Sequence, residues 1–328
     1  MNKKPFIIPI ILIIMLIAGT IYNQSKGTHS ATQKNLTLKS DTVCKTHKDA
    51  KCITNLKALI HITNVNSKKW AVLIHGHGGN GTKYAEKYST KYVENGYNII
   101  APDLRGHGET GGTLTLGYLE SLDIYDWIKD LNKNWSSRYG VNVAPEIIIV
   151  HGTSLGGATT LQLATNPDIA NANGSEPYTK NLTTLKVKGF VDDCGFTSIL
   201  DTVNYTYNAK INESSSKTIS NIYRGLYAES MNAISGFGIE KGTFDKYEDA
   251  FSEGRKFPSG SKILIIHDTQ DNVVPYSNAN TVANNISPGI LVKKVTTTGE
   301  GHASHDDNFP TILANYIKCV ENSSCNKI

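Results

Sequence analysis

Ser154 sits in Gly152-Thr153-Ser154-Leu155-Gly156, where the apolar run "EIIIVH" (146–151) hands over to the helical segment "ATTLQLA". A serine at a sharp strand-to-helix turn has its hydroxyl lifted above the sheet at a helix N-terminus, the posture of a nucleophile elbow. Such a turn leaves no room for bulk on either side, and glycines meet that demand. The competing reading of the pentapeptide is a phosphate-binding or purely structural turn, so its meaning depends on what the rest of the chain supplies.

Serine is a poor nucleophile at neutral pH and needs a base. The chain has 10 histidines, and the order Ser…Asp/Glu…His narrows them. His302 lies in "TTTGEGHASHDD", directly after the last β-rich run, with His305 as its neighbouring rival. His29, His47 and His61 precede the domain core and read as surface or strand residues. The base in turn needs a carboxylate to fix its tautomer and stabilise the imidazolium. Asp271, in "HDTQDNVVP" after the run "KILIIH", fills that role. Asp268 lies closer to the strand, too early in the turn, and Asp192 with Asp193 forms a second possible acid site.

A tetrahedral oxyanion needs hydrogen-bond donors. The backbone N–H of Leu155, next after the nucleophile, is one. The backbone N–H of His77, in the loop "HGHGG" (75–79) after "WAVLIH", is the other. The rings of His75 and His77 are assigned structural roles. No His/Cys cluster has metal-ligand spacing, and no metal or organic cofactor is implied.

The elements that must position these residues follow a regular pattern. β-rich runs occur at 58–62, 70–75, 97–101, 146–151, 187–191, 262–267 and 290–295, the central ones apolar on both faces as buried parallel strands are. Helical patterns lie between them. Tyr84, Tyr88 and Tyr92 recur every fourth residue up to the stop signal Asn95-Gly96, and Ile124, Trp127, Ile128 and Leu131 trace one helix face. Alternating strands and helices predict a mainly parallel sheet covered on both faces. The spacing breaks once. An insertion of about 199–260 carries the apolar stripe Ile219, Ile222, Tyr223 and Leu226, with Tyr205, Tyr207 and Tyr227 nearby. It reads as a cap over the carboxyl ends of the strands, where ligands of open α/β sheets bind.

The chain has 328 residues, 39% of them apolar, enough for a sizeable core. Its net charge is +4, and with Lys3, Lys4 and Lys26 set aside 30 basic residues face 29 acidic ones. That near-neutral body gives no electrostatic case for nucleic-acid binding. Residues 1–26 hold two early lysines and an uncharged apolar run from Phe6 to Tyr22. The run is at the short end of what spans a bilayer, and the lysines favour an inside N-terminus with an exported body. It reads as an uncleaved anchor; the competing reading is a signal peptide cut near Ala18–Thr20. Residues 27–56 are polar and read as a linker, leaving the catalytic domain at 57–328. Of five cysteines, Cys44 with Cys52 and Cys319 with Cys325 could each close a short loop in an oxidising compartment, or stay unpaired; Cys194 is left over as a buried thiol.

Taken together, "HGHGG", "PDLRGHGET" (102–110), "GTSLGG", "HDTQDNVVP" and "GEGH" resemble the α/β-hydrolase superfamily, in its order, over residues 57 to about 318. "DCGFTS" (193–198), with the N-terminal anchor, is similar to a bacterial membrane-anchored group within it. The resemblance implies an eight-stranded, mostly parallel sheet, the α/β-hydrolase fold with an inserted cap, and Ser154, Asp271 and His302 as a triad. The chain departs from the pattern at Asp268, where many relatives have glycine. The expected protein is a membrane-anchored serine hydrolase facing outside the cell, or a secreted one if the anchor is cleaved, acting on a small-molecule or lipid-like acyl ester. A peptidase, acyl-peptide hydrolase or thioesterase on the same fold is the alternative, and an inactive surface binding module is the reading from a different class.

Overall fold

The computed structural model describes residues 32–46, 55–166, 182–199, 201–202, 204–205, 249–251, 255–287, 289–322 and 325. Eight strands form one sheet: β1 Thr32–Leu38, β2 Leu56–Ile62, β3 Lys69–Ile74, β4 Asn98–Pro102, β5 Ile147–Thr153, β6 Val187–Asp193, β7 Lys262–Asp268 and β8 Leu291–Thr297. Their order across the sheet is β1-β2-β4-β3-β5-β6-β7-β8. Only β2 runs against its neighbours; β4, β3, β5, β6, β7 and β8 are mutually parallel. The carboxyl ends of β3, β5, β6, β7 and β8 therefore point the same way, and the candidate residues sit just beyond them.

The helices are α1 Asp41–Thr46, α2 Gly81–Glu94, α3 Tyr118–Asn134, α4 Leu155–Thr165, α5 Ser277–Asn285 and α6 Phe309–Asn322. Alternation along the strands splits the core into two layers. Trp70, Val72, Ile148 and Val150 pack with Leu122, Trp127, Ile128 and Leu161 of α3 and α4 on one face. Ala71, Leu73, Ile149 and Leu264 pack with Tyr84, Tyr88 and Tyr92 of α2 and Tyr316 of α6 on the other. Each large apolar side chain buried this way contributes about 2 kcal/mol. The tyrosine stripe and the Ile124/Trp127/Ile128/Leu131 face are both buried as their spacing predicts. Gly96, at φ +79°, ends α2 with its N–H on the Val93 carbonyl.

The linker assigned to 27–56 is corrected over 32–46. β1 pairs with β2 in continuous antiparallel register from Thr32↔Ile62 to Leu38↔Leu56. Val43 of α1 is fully buried in the main core. The following polar residues are bonded inward: Ser40 Oγ donates to Asp123, and Thr42 donates to Asp126 from its N–H at 2.7 Å and its hydroxyl at 2.5 Å. Arg105 forks onto Asp123, Nε to Oδ2 and Nη2 to Oδ1, both at 2.8 Å. Burial raises the Asp123 carboxyl to about 6 against the pull of Arg105 and Ser40. A polar edge strand is a normal defence against edge-to-edge pairing, which is why "TQKNLTL" carries so little apolar signal.

The Phe6–Tyr22 run, Cys52 and the stripe Ile219–Leu226 lie outside the described residues. Among the described residues no helix is long and apolar enough to cross a membrane. Cys319 and Cys325 are joined by a disulfide, and Cys194 is a buried free thiol.

Candidate active site

The turn around Ser154 is as tight as its glycines imply. Ser154 has φ 57° and ψ −116°, a strained conformation for a residue with a side chain, costing roughly 1–3 kcal/mol. A Cβ on Gly152 would fall 2.0 Å from the Gly156 carbonyl oxygen, and one on Gly156 would fall 2.1 Å from that of Ile74 on β3. Both flanks are thus closed to any side chain. The turn is held by the Ser154 N–H on the Asp193 carbonyl at 2.8 Å and the Ala158 N–H on the Ser154 carbonyl at 2.9 Å.

His302, in the loop after β8, bridges two of the predicted residues. Ser154 Oγ lies 2.8 Å from His302 Nε2, and His302 Nδ1 lies 2.7 Å from Asp271 Oδ2. An ionised carboxylate only accepts, so Nδ1–H donates to Asp271 and Nε2 is left as the acceptor for the serine hydroxyl. Asp271 is buried in the turn after β7, and its Oδ1 accepts the N–H groups of Val273 at 2.8 Å and Val274 at 2.9 Å. Burial alone would raise this carboxyl; the bonds from His267, His302 and Val274 outweigh it and hold Asp271 well below the usual carboxylate range.

The rival residues have other partners. Asp268 accepts from the Gln270 N–H at 2.7 Å, the Thr297 hydroxyl at 2.8 Å and the Glu300 N–H at 3.0 Å, knitting the β7 turn to the end of β8. Asp193 accepts from Thr153 Oγ1 at 2.7 Å, and His305 Nε2 stands 3.0 Å from its Oδ2. His305 stacks on Phe309 with ring centroids 4.1 Å apart. Asp192 is fully buried, takes the Gly195 N–H at 3.0 Å on Oδ1, and has no partner for Oδ2 among the described residues.

The loop after β3 runs beside the serine: a Cβ on Gly76 would lie 3.4 Å from that of Ser154. His75 is locked as a structural ring, Nε2 accepting the Leu104 N–H at 3.0 Å and Nδ1 donating to the Gly76 carbonyl at 2.7 Å. Burial pulls its pKa down to about 4. Leu155 is the first residue of α4, where helix N–H groups have no intrahelical acceptor. Asn80, whose side chain accepts the Lys83 N–H at 2.9 Å, caps α2. Ser154, His302, His77 and Asn80 line a cavity of about 450 Å³, together with Lys83 and Lys87 of α2.

Two features had no place in the sequence reading. His267, the buried histidine before Asp268, points Nε2 at the Val274 carbonyl at 3.0 Å, 3.4 Å from Asp271 Oδ2. Burial lowers its basicity, but Asp271, Val274 and the charge of Asp192 more than restore it, and its pKa is raised. Its only sequence signal is a histidine four residues before the acid, at the end of an apolar strand. The second feature is the lysine pair in the cavity wall. From the insertion, Tyr205 donates its hydroxyl to the Asp271 backbone carbonyl at 3.1 Å. Cys194, Asp271 and His302 bring potential metal-ligand atoms within 4.8 Å of one another; an ion there would compete for the Asp271–His302 bond.

The chain has the α/β-hydrolase fold. The family model described as serine aminopeptidase, S33, matches residues 66–173, the stretch holding "HGHGG" and the Ser154 turn. Among solved structures, the Pyrococcus furiosus esterase Pf2001 superposes with a TM-score of 0.57 at 16% identity, covering 90% of this chain and 94% of its own. The α/β hydrolase GrgF from a Penicillium species superposes with a TM-score of 0.54 at 13% identity, covering 89% and 98%. Among curated proteins, the multifunctional-autoprocessing repeats-in-toxin of Vibrio vulnificus is 28% identical over 104 residues, 31% of this chain and 2% of that much longer protein.

Proposed function

We propose that the protein is a serine hydrolase that cleaves carboxylic esters through an acyl-enzyme. The observation that carries this reading is His302, set between Ser154 Oγ at 2.8 Å and Asp271 Oδ2 at 2.7 Å. Ser154 Oγ attacks the substrate carbonyl carbon as its proton passes to His302 Nε2. The carbonyl electrons move onto oxygen, held by the Leu155 and His77 N–H groups. Collapse breaks the bond to the leaving alcohol, which takes the proton from His302. Water, deprotonated by His302, then releases the acid and restores Ser154. Asp271, kept ionised, holds Nδ1–H throughout and stabilises the imidazolium. Esters are favoured over amides because an alcohol leaves far more readily than an amine.

The aminopeptidase description of the matching family model supports peptide hydrolysis as a second reading. A free α-ammonium group needs a carboxylate to hold it. Among the described residues the cavity wall offers none, and its charged groups besides histidine are Lys83 and Lys87. Steady-state hydrolysis of an ester panel of rising acyl length, run beside aminoacyl anilides, separates the two. Ester turnover exceeding anilide turnover supports the esterase; the reverse overturns it.

The Phe6–Tyr22 run motivates the further proposal that the catalytic body is held outside the membrane. The Cys319–Cys325 disulfide supports export to an oxidising compartment.

A further inference from the structure

We infer that the substrate carries a fixed negative charge, a carboxylate or phosphate group, held by Lys83 and Lys87 beside Ser154. The inference rests on the ester-hydrolase reading and adds a substrate class to it. Both lysines project from the first half of α2 into the wall of the cavity onto which Ser154 and His302 open. They are four residues apart, so their side chains share one helix face about one turn from each other. Like charges at that spacing repel and destabilise a helix, unless an anion between them removes the repulsion.

Nothing described on the protein supplies that anion. Lys91, one turn further on, has Glu94 at 2.8 Å, and Lys69 has Glu321 at 3.2 Å. Among the described residues no carboxylate lies within ion-pair distance of Lys83 or Lys87. Lys87 is aimed rather than free: its Nζ donates to the Ala303 carbonyl at 3.3 Å, next to His302, and lies 4.8 Å from the centre of the Tyr88 ring. It thus spans from α2 to the histidine loop at the rim of the site. The capped amino end of α2, at Asn80, adds a positive partial charge in the same direction. Lysine ammonium groups are compact point charges suited to carboxylate and phosphate oxygens.

Two pairs of length-matched esters test this. In one, 4-nitrophenyl valerate is compared with the 4-nitrophenyl monoester of glutaric acid, which puts the charge on the acyl side. In the other, the charge is on the alcohol side of an alkyl butyrate. At least one charged member should exceed its neutral partner in kcat/KM by about tenfold. The Lys83→Gln/Lys87→Gln variant, folded by circular dichroism, should bring that ratio close to one, and added salt should shrink it in the wild type. If neither pair favours its charged member, or the ratio survives in the double variant, the inference fails while ester hydrolysis stands. If no ester turns over, calorimetric binding of the same compounds to Ser154→Ala still decides it: equal affinity for charged and neutral members overturns it, and tighter binding of a charged member upholds it.

Discussion

His305 Nε2 faces Asp193 Oδ2 at 3.0 Å, apart from the Ser154–His302–Asp271 chain of contacts. His305 and Asp193, two of the alternatives to His302 and Asp271 in the sequence, are thus each other's partners. Asp193 is 1% exposed, and although burial raises its carboxyl, His305 and Thr153 bring it below the usual range. The pair pins the histidine loop to the end of β6. His305→Ala strands a buried carboxylate and should cost about 3 kcal/mol, read by denaturant unfolding. That stabilisation is present above the ordinary carboxylate range and is lost as the pH falls through the lowered Asp193 value. Turnover in His305→Ala should stay within about tenfold of wild type, as expected of a residue that only positions the loop. A loss as large as that of His302→Ala would make His305 the base.

Asp271 and Asp268 are separated by their partners rather than by their distance along the chain. Asp271→Asn keeps its acceptor oxygen but forces the wrong tautomer on His302, and kcat should fall by roughly 10⁴. Asp268→Asn weakens the three bonds that tie the β7 turn to β8 and should lower stability by about 1–2 kcal/mol, with kcat within a few-fold. Steady-state kinetics and thermal unfolding of the two variants check this, and the opposite assignment predicts the opposite pattern.

Asp192 sets a pH dependence of stability. Burial pushes its carboxyl up to about 7, partly offset by His267. Between the unfolded value, 3.8, and about 7 the folded protein therefore binds more protons than the unfolded chain, so this group lowers stability as the pH rises. The melting temperature of Asp192→Asn should gain on wild type steadily between pH 4 and 7, by up to about 4 kcal/mol in stability. A pH-independent difference would mean that Asp192 is ionised throughout.

Ser154, Asp271 and His302 stood out as candidates in the sequence because each follows a β-rich run, and an α/β sheet delivers all such ends to one edge. The close approaches at Gly152 and Gly156 likewise left glycines to be read. β1 was not legible: an edge strand with one exposed side needs only Leu36 and Leu38 against the core, and two leucines make no periodic signal. His267 stayed hidden because a histidine completing a buried strand looks like any core residue until its distance to Asp271 is known. Lys83 and Lys87 gave no signal in the sequence, because lysines flanking a buried tyrosine stripe are common on any solvated helix face; the fold is what brings them to the cavity wall.

The most direct measurement is covalent labelling by a fluorophosphonate serine probe, followed by intact mass and peptide mapping. A single adduct on the Ser154 peptide is predicted, absent in Ser154→Ala and slowed by orders of magnitude in folded His302→Ala. Undiminished labelling of Ser154→Ala, or none of the wild type, would contradict the assignment of Ser154 as nucleophile.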